Sequence, residues 1–312
     1  MGLTGLRDAP LRLILFGGKG GVGKTTCAVS AGLHLSETCH TLIISIDPAH
    51  SLSDSLGQKI GDGVQDIKGV TNLSAIEISA KKTFSAFKVR YEEQIKKIID
   101  TSTYLDSEDI ESVLSLPIPG LDEVMGLKTI TDLIEEGRFD KVVVDTAPTG
   151  HALRLLTLPG MLDEWIRVMA KMRWKYRYVL TTLGGAYKPD EGDDFLVEMK
   201  RTVARIRSLF KDLKRCEFIV VTIPEYMAVR EAEKMIAELN KYGITIKQLV
   251  VNNVVPLNDH CEFCKEKRKG EEDYINYLRE QMGTTRITLV PLRPREVKGI
   301  DALNDFKELL FQ

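Results

Sequence analysis

Residues 17–26 read GGKGGVGKTT, and residues 18–25 match G-x-x-x-x-G-K-[ST] at every position. The run follows the apolar stretch 11–16 and opens a helical pattern over 24–36. A strand, a glycine-rich curl and a helix in that order belong to parallel α/β proteins. The glycines let backbone N–H groups face phosphate oxygens, and the helix start adds positive dipole. Lys24 is placed to reach the β- and γ-phosphates, and the Thr25 hydroxyl to ligate Mg2+. Gly18, Lys19, Gly20, Gly21, Val22, Gly23, Lys24, Thr25 and Thr26 are therefore the expected ATP-binding residues of the loop. The plainer alternative is a glycine-rich turn that holds no ligand.

The rest of the chain repeats the alternation. Stretches 41–46, 73–78, 141–145, 217–222, 248–252 and 286–290 read as strands, as does 11–16. Continuous apolar runs such as Val142-Val143-Val144 mark strands buried on both faces of a parallel sheet. Helical stretches lie at 24–36, 121–136, 225–241 and 296–310. The expected fold is a doubly wound, mostly parallel α/β sheet of P-loop NTPase type. About 70 residues after position 145 carry no strand signal, more than a simple crossover needs. Two helices at roughly 160–181 and 194–214, joined by LGGAYKPDEGDD, fill this gap. One domain, 1–312, is expected, with a helical subdomain inserted at about 81–136 and 155–214.

Charge and cysteine content narrow the setting. Lys and Arg number 43 against 45 Asp and Glu, so no global basic field recruits nucleic acid. Five cysteines, an odd number, in a chain this long point to a reducing compartment with thiols free or metal-bound. No apolar run approaches the ~18 residues of a spanning helix. A soluble, cytoplasmic protein is expected.

Ligands of open parallel sheets bind outside the carboxyl ends of the strands. Two strands run there into acids: 41–46 into Asp47 and 141–144 into Asp145. Asp145 suits an outer-shell contact to Mg2+ through water, and Asp47 suits orienting the attacking water. Phosphoryl transfer needs charge neutralisation and in-line positioning, with no covalent nucleophile. Helix capping is the alternative role for both acids. His50 and His151, in the loops that follow, either sense phosphate or satisfy local hydrogen bonds.

The segments GKGGVGKTT (18–26), DPAHSLSDSL (47–56), VVDTAPTGHALRLL (143–156), VVNNV (250–254), CEFC (261–264) and PLRPREVKG (291–299) span nearly the whole chain. In this order they resemble the ArsA-type ATPases, and among them the tail-anchored membrane-protein targeting factors. The resemblance implies a homodimer that closes on ATP and Mg2+, with tetramers around a client left open. It implies that Lys19 crosses into the partner's site, that Lys24 and Thr25 act in cis, and that Asp47 is the hydrolytic acid. Asp47 and Asp145 would contact Mg2+ through water. Asn252 would read adenine, for which an amide offers both donor and acceptor, and Pro291 and Leu292 would lie against the base. A membrane receptor and hydrophobic transmembrane segments are the implied partners, with peripheral and transient contact at the membrane.

Cys261 and Cys264 form C-x-x-C, a spacing at which two thiolates share one tetrahedral Zn2+. Four ligands are needed and there is no second such pair; the resemblance implies one Zn2+ shared across a two-fold axis. His260 is an alternative ligand, and a redox disulfide or idle thiols are alternative fates. Cys27 and Cys216 read as small core residues, and no spacing joins them to Cys39 in a metalloid site. This weighs against an arsenite-pump ATPase, the main alternative function. Neutral charge and the C-x-x-C weigh against a DNA-partition ATPase.

Residues 161–180 and the stretch after 194 are amphipathic. Tyr176 and Val179 share the first stripe; Leu196, Val203, Ile206 and Phe210 share the second. By pattern alone these stripes are the subdomain's own core. The resemblance implies instead a client groove formed by Leu162, Trp165, Ile166, Met169, Met172, Phe195 and Met199, complete only in the closed dimer.

Overall fold

The structure is a computed structural model. It describes residues 2–8, 10–46, 51–102, 121–146, 163–164, 166–171, 173–175, 177–178, 181–183, 189–257 and 260–312. Asp47, His50, His151, Leu162, Trp165, Met172, Tyr176 and Val179 lie outside the described residues.

In chain order the elements are β1 (Leu13–Gly17), α1 (Lys24–Ser36), β2 (Thr41–Ser45), α2 (Ser51–Leu56), β3 (Gln65–Asp66), β4 (Leu73–Glu77), α3 (Ala80–Ser102), α4 (Leu121–Glu135) and β5 (Lys141–Asp145). There follow α5 (Glu191–Lys211), β6 (Cys216–Thr222), α6 (Tyr226–Lys241), β7 (Gln248–Val254), α7 (Glu262–Gln281), β8 (Arg286–Pro291) and α8 (Ile300–Phe311). Further helical residues occur between 163 and 182. The strands form one sheet in the order β3-β4-β2-β5-β1-β6-β7-β8. All neighbours pair in parallel except β3, which runs antiparallel to β4. The α/β class is as the alternating pattern demands.

The chain divides into two compact units. The first comprises Met1–Ser79, Asp132–Leu153 and Leu209–Gln312 and holds the sheet; the second comprises Ala80–Thr131 and Arg154–Ser208 and is helical. In the first unit every side chain of β1, β2, β4 and β5 is buried. On one face of the sheet Ile14, Phe16, Val143, Ile219 and Val250 pack with Ala31 and Leu35 of α1 and Phe306 and Leu310 of α8. In the second unit Phe87, Tyr91 and Phe195 form a ring cluster with centroids 4.9–6.2 Å apart. The Tyr91 hydroxyl donates to Glu198 Oε1 at 2.6 Å, and Arg173 is buried in ion pairs with Asp190 and Asp193.

Several element bounds differ from the expected ones. β1 begins two residues later than expected, and β7 runs on to Val254. α5 starts at Glu191, where the side chain of Asp190 accepts from Gly192 N at 2.9 Å and so starts the helix earlier. α8 starts at Ile300 rather than 296, because Gly299 takes φ 82° as its N-cap. The two-residue β3 carried no legible signal. The C-x-x-C stretch reads as loop, yet it is the N-cap and first turn of the 20-residue α7. That helix is polar nearly all round and buries little beyond Glu271, Ile275 and Leu278, so its apolar stripe is too narrow to read.

Candidate functional site

The loop 18–23 leaves β1 at the carboxyl edge and passes tightly against its neighbour β6. A Cβ on Gly18 would sit 2.1 Å from the Val221 carbonyl oxygen. Gly21 and Gly23 take φ 80° and 94°, which side chains resist. Lys24 is buried, and its Nζ donates to the Lys19 carbonyl at 3.2 Å, so the amine folds back over the loop. Lys19 itself is half-buried and Gly20 exposed.

The second strand-end acid meets this loop directly. Thr25 Oγ1 donates to Asp145 Oδ2 at 2.6 Å, across 120 residues of chain. Asp145 lies in one register row with Phe16 of β1 and Ser45 of β2. Thr146 is pinned by its N–H and hydroxyl to the Phe16 carbonyl, at 3.2 and 2.8 Å. A hydroxyl and a carboxylate already in contact at the mouth of a phosphate loop are hard oxygen donors, the set that suits Mg2+. On the other flank, Ile46 N donates to the Asp145 carbonyl at 3.1 Å. The chain thus leaves β2 beside Asp145 just before Asp47.

Asn252 reaches the loop from β7. The β7–β8 register shifts between Val251 and Val254, and Asn253 takes φ 57°. Such a bulge re-aims side chains. Asn252 Nδ2 donates to the Val22 carbonyl at 2.9 Å, while its Oδ1 is buried without a hydrogen-bond partner. A Cβ on Gly23 would lie 2.3 Å from that Nδ2. Leu292 N donates to the Val254 carbonyl at 2.8 Å, so Pro291 and Leu292 follow the same edge. An acceptor left open there suits an amino group such as that of adenine.

The carboxyl edge holds one acid that the sequence reading missed. Glu77, at the end of β4, is buried and in register with Ser45. Its Oε1 accepts from Ser53 N at 2.8 Å and its Oε2 from Ser53 Oγ at 3.1 Å. The available signal was the one that flagged Asp145, a carboxylate closing an apolar strand.

Cys261 caps α7, and its Sγ accepts from Cys264 N at 3.4 Å. Hydrogen bonds from Cys264 hold the Cys261 thiol below its ordinary pKa, while the bond to Cys261 pushes Cys264 up. Two soft donors at one point are half of a tetrahedral zinc set. Among the described residues no cluster of three or more metal-ligating side chains occurs. Cys27 and Cys216 are buried thiols pushed up by desolvation, as core residues should be.

Four groove candidates are described, and all lie inside the helical unit. Ile166, Met169, Phe195 and Met199 are buried. In the single chain they pack within that unit. Among the described residues the exposed large apolar side chains of that unit are Val89, Val168, Trp174, Tyr178, Leu183 and Val197. Trp174 and Tyr178 stack at 5.9 Å. Among the described residues no helix is long and apolar enough to cross a membrane.

The family model for anion-transporting ATPases matches residues 11–312. The chain is 34% identical to ATPase ASNA1 homolog 1 of Paramecium tetraurelia, covering 98% of this chain and 94% of the relative. It is 34% identical to ATPase GET3B of Arabidopsis thaliana (96% and 78% covered) and 33% identical to ATPase get3 of Aspergillus terreus (96% and 90% covered). Likeness from end to end means that the chain belongs to the ArsA-type ATPases and is an ATPase of the ASNA1/GET3 type rather than of the arsenite-pump type.

Proposed function

We propose that this ATPase captures the transmembrane segment of tail-anchored membrane proteins and delivers it to a membrane, ATP hydrolysis switching the two states. The observation that carries the reading is the exposed apolar set Val168, Trp174, Tyr178 and Leu183 on a unit distinct from the nucleotide edge. Exposed apolar side chains of this size, two of them stacked on one another, support a binding surface. The groove is then built on that set, with Ile166, Met169, Phe195 and Met199 as its packed support.

The chain's own residues divide the hydrolytic work. Loop N–H groups and Lys24 hold and neutralise the phosphates, and Asn252 Oδ1 accepts from the base. Thr25 and Asp145 would hold Mg2+, Asp145 through water; the ion would supply charge neutralisation at the phosphates. Asp47 orients the attacking water, and Lys19 of a second copy adds positive charge in trans. Cys261 and Cys264 of each of two copies would hold one shared Zn2+, and the two copies close on ATP. The homodimer works in the cytoplasm, meets a membrane receptor transiently and binds no nucleic acid.

Co-expression with a protein bearing a C-terminal transmembrane anchor tests the reading. Recovery of a soluble complex, lost on Trp174→Ser with Tyr178→Ser, is the expected result. No capture, with turnover stimulated by arsenite, would return the pump reading. Scattering with a non-hydrolysable ATP analogue should report a dimer, and metal analysis about half a zinc per chain.

A further inference from the structure

Glu271 is a buried carboxylate on α7, a helix that is polar nearly all round. A buried carboxylate is costly unless it is paired. Its Oε2 accepts from Val255 N at 2.8 Å, and Lys267 Nζ lies 3.9 Å from its Oε1. The bond to Val255 falls just past the end of β7, where the sheet stops holding that strand evenly. On one side β6 ends at Thr222, in register with Val251. On the other side, pairing with β8 is regular up to Val251 and resumes at Val254 with Pro291. Asn252 and Asn253 lie in that gap, and Asn253 takes φ 57°. Left-handed backbone at a residue other than glycine persists where its flanks over-determine it. Val251 is the first flank, fixed by the sheet. Val254 and Val255 are the second: Leu292 N donates to the Val254 carbonyl at 2.8 Å, and Glu271 takes the buried N–H of Val255.

Asn252 hangs between these flanks. Its Nδ2 donates to the Val22 carbonyl at 2.9 Å, and its buried Oδ1 is the acceptor assigned above to the base. A bulge re-aims the side chain it carries, so the aim of Oδ1 follows from how the bulge is closed. Glu271 closes it from a helix that is itself fixed. Ile275 and Leu278 of α7 are buried, and the Tyr277 hydroxyl donates to Glu233 Oε1 of α6 at 2.7 Å. We propose that Glu271 is a positioning residue for base selection: by holding the Val255 N–H it sets the β7 bulge, and so aims Asn252 Oδ1 at the exocyclic amino group of adenine. Guanine carries a carbonyl oxygen in place of that amino group, and two acceptors repel. The proposal rests on the reading of Asn252 as the base contact. Loop N–H groups and Lys24 serve the triphosphate, which ATP and GTP share, so the effect of Glu271 belongs to the ratio of the two affinities.

The test uses the full-length protein with Mg2+ and non-hydrolysable analogues of ATP and GTP. Titration calorimetry reads both Kd values for the wild type, Asn252→Ala, Glu271→Ala, Glu271→Gln and Glu271→Asp. The wild type should prefer the adenine nucleotide, and Asn252→Ala should shrink that preference about tenfold. Glu271→Ala should shrink it about fivefold, chiefly through weaker binding of the ATP analogue. Glu271→Gln keeps an oxygen for the Val255 N–H and should restore the preference to within about twofold of wild type. Glu271→Asp, one methylene short, should behave as Glu271→Ala does, and it carries the test if the alanine variant does not fold. A wild-type ratio in that variant, with the ratio lowered in Asn252→Ala, would overturn the proposal alone. Equal loss of both nucleotides would also overturn it, because Glu271 would then act on the phosphate loop or on stability. So would a ratio in Glu271→Gln as low as in Glu271→Ala, because charge and not the Val255 bond would then decide. No preference in the wild type, or an unchanged ratio in Asn252→Ala, would remove the reading of Asn252, and this proposal with it.

Discussion

The two units of the chain spend their apolar residues differently. In the α/β unit, β1, β2, β4 and β5 bury every side chain, and their ends present Asp145, Ser45 and Glu77 in one row. In the helical unit, α5 buries Phe195 and Met199 but leaves Val197 outside, and the preceding helical residues expose Trp174 and Tyr178. A strand covered on both faces has its register locked, since a slip of one residue would turn every side chain over. Chemistry that depends on tenths of an ångström belongs on such a frame. A helix needs only one stripe for its core, so the rest of its surface is free to be apolar for a partner.

That contrast can be broken first at the phosphate loop. Gly23→Ala would place a methyl on the Asn252 amide at a backbone angle hostile to side chains. Nucleotide affinity should fall on the order of a hundredfold by titration calorimetry, with strain and displacement both acting. Unchanged affinity would detach Asn252 from the site. Next comes the interior of the helical unit. Met199→Ala should cost about 3 kcal/mol in denaturant unfolding, as for buried large-to-small changes. A cost near zero would mean that Met199 faces a groove after all.

Trp174→Ser probes the contrast from the surface. Stability should stay within about 0.5 kcal/mol, because the ring is exposed, while capture of a transmembrane segment should weaken. Equal capture would empty that face of function. The smallest effect is expected at His34, which stacks on Phe311 with centroids 3.8 Å apart. Burial, then the Arg7 charge, holds its pKa below the usual 6.5. The folded form therefore resists protonation. Its stability is complete above pH 6.5 and declines as the pH falls toward the lowered folded value. Melting temperatures across that window should slope downward on acidification, and His34→Gln should flatten the slope; an unchanged slope would assign it to other groups.

Much of the fold and of the nucleotide edge is legible in the order of residues alone. The phosphate loop can be read because glycine dihedrals and a strand-to-helix order are local chemistry. The strand around Val143 and the helix opening at Lys24 can be read because buried runs and amphipathic periods lie within a few residues. The polar α7 hides from the same reading, since it is anchored by little more than Ile275 and Leu278. The buried places of Ile166 and Met199 hide too, because one stripe serves equally as core or groove.

Local patterns in the chain specify an α/β sheet that carries a phosphate loop, with acids at strand ends beside it. Packing across the sheet brings Thr25 to Asp145, Asn252 to Val22 at a bulge, and Glu77 to Ser53. Those contacts span 120, 230 and 24 residues. They arise from the order in which strands lie side by side, a matter of packing the whole core, to which no local propensity is sensitive.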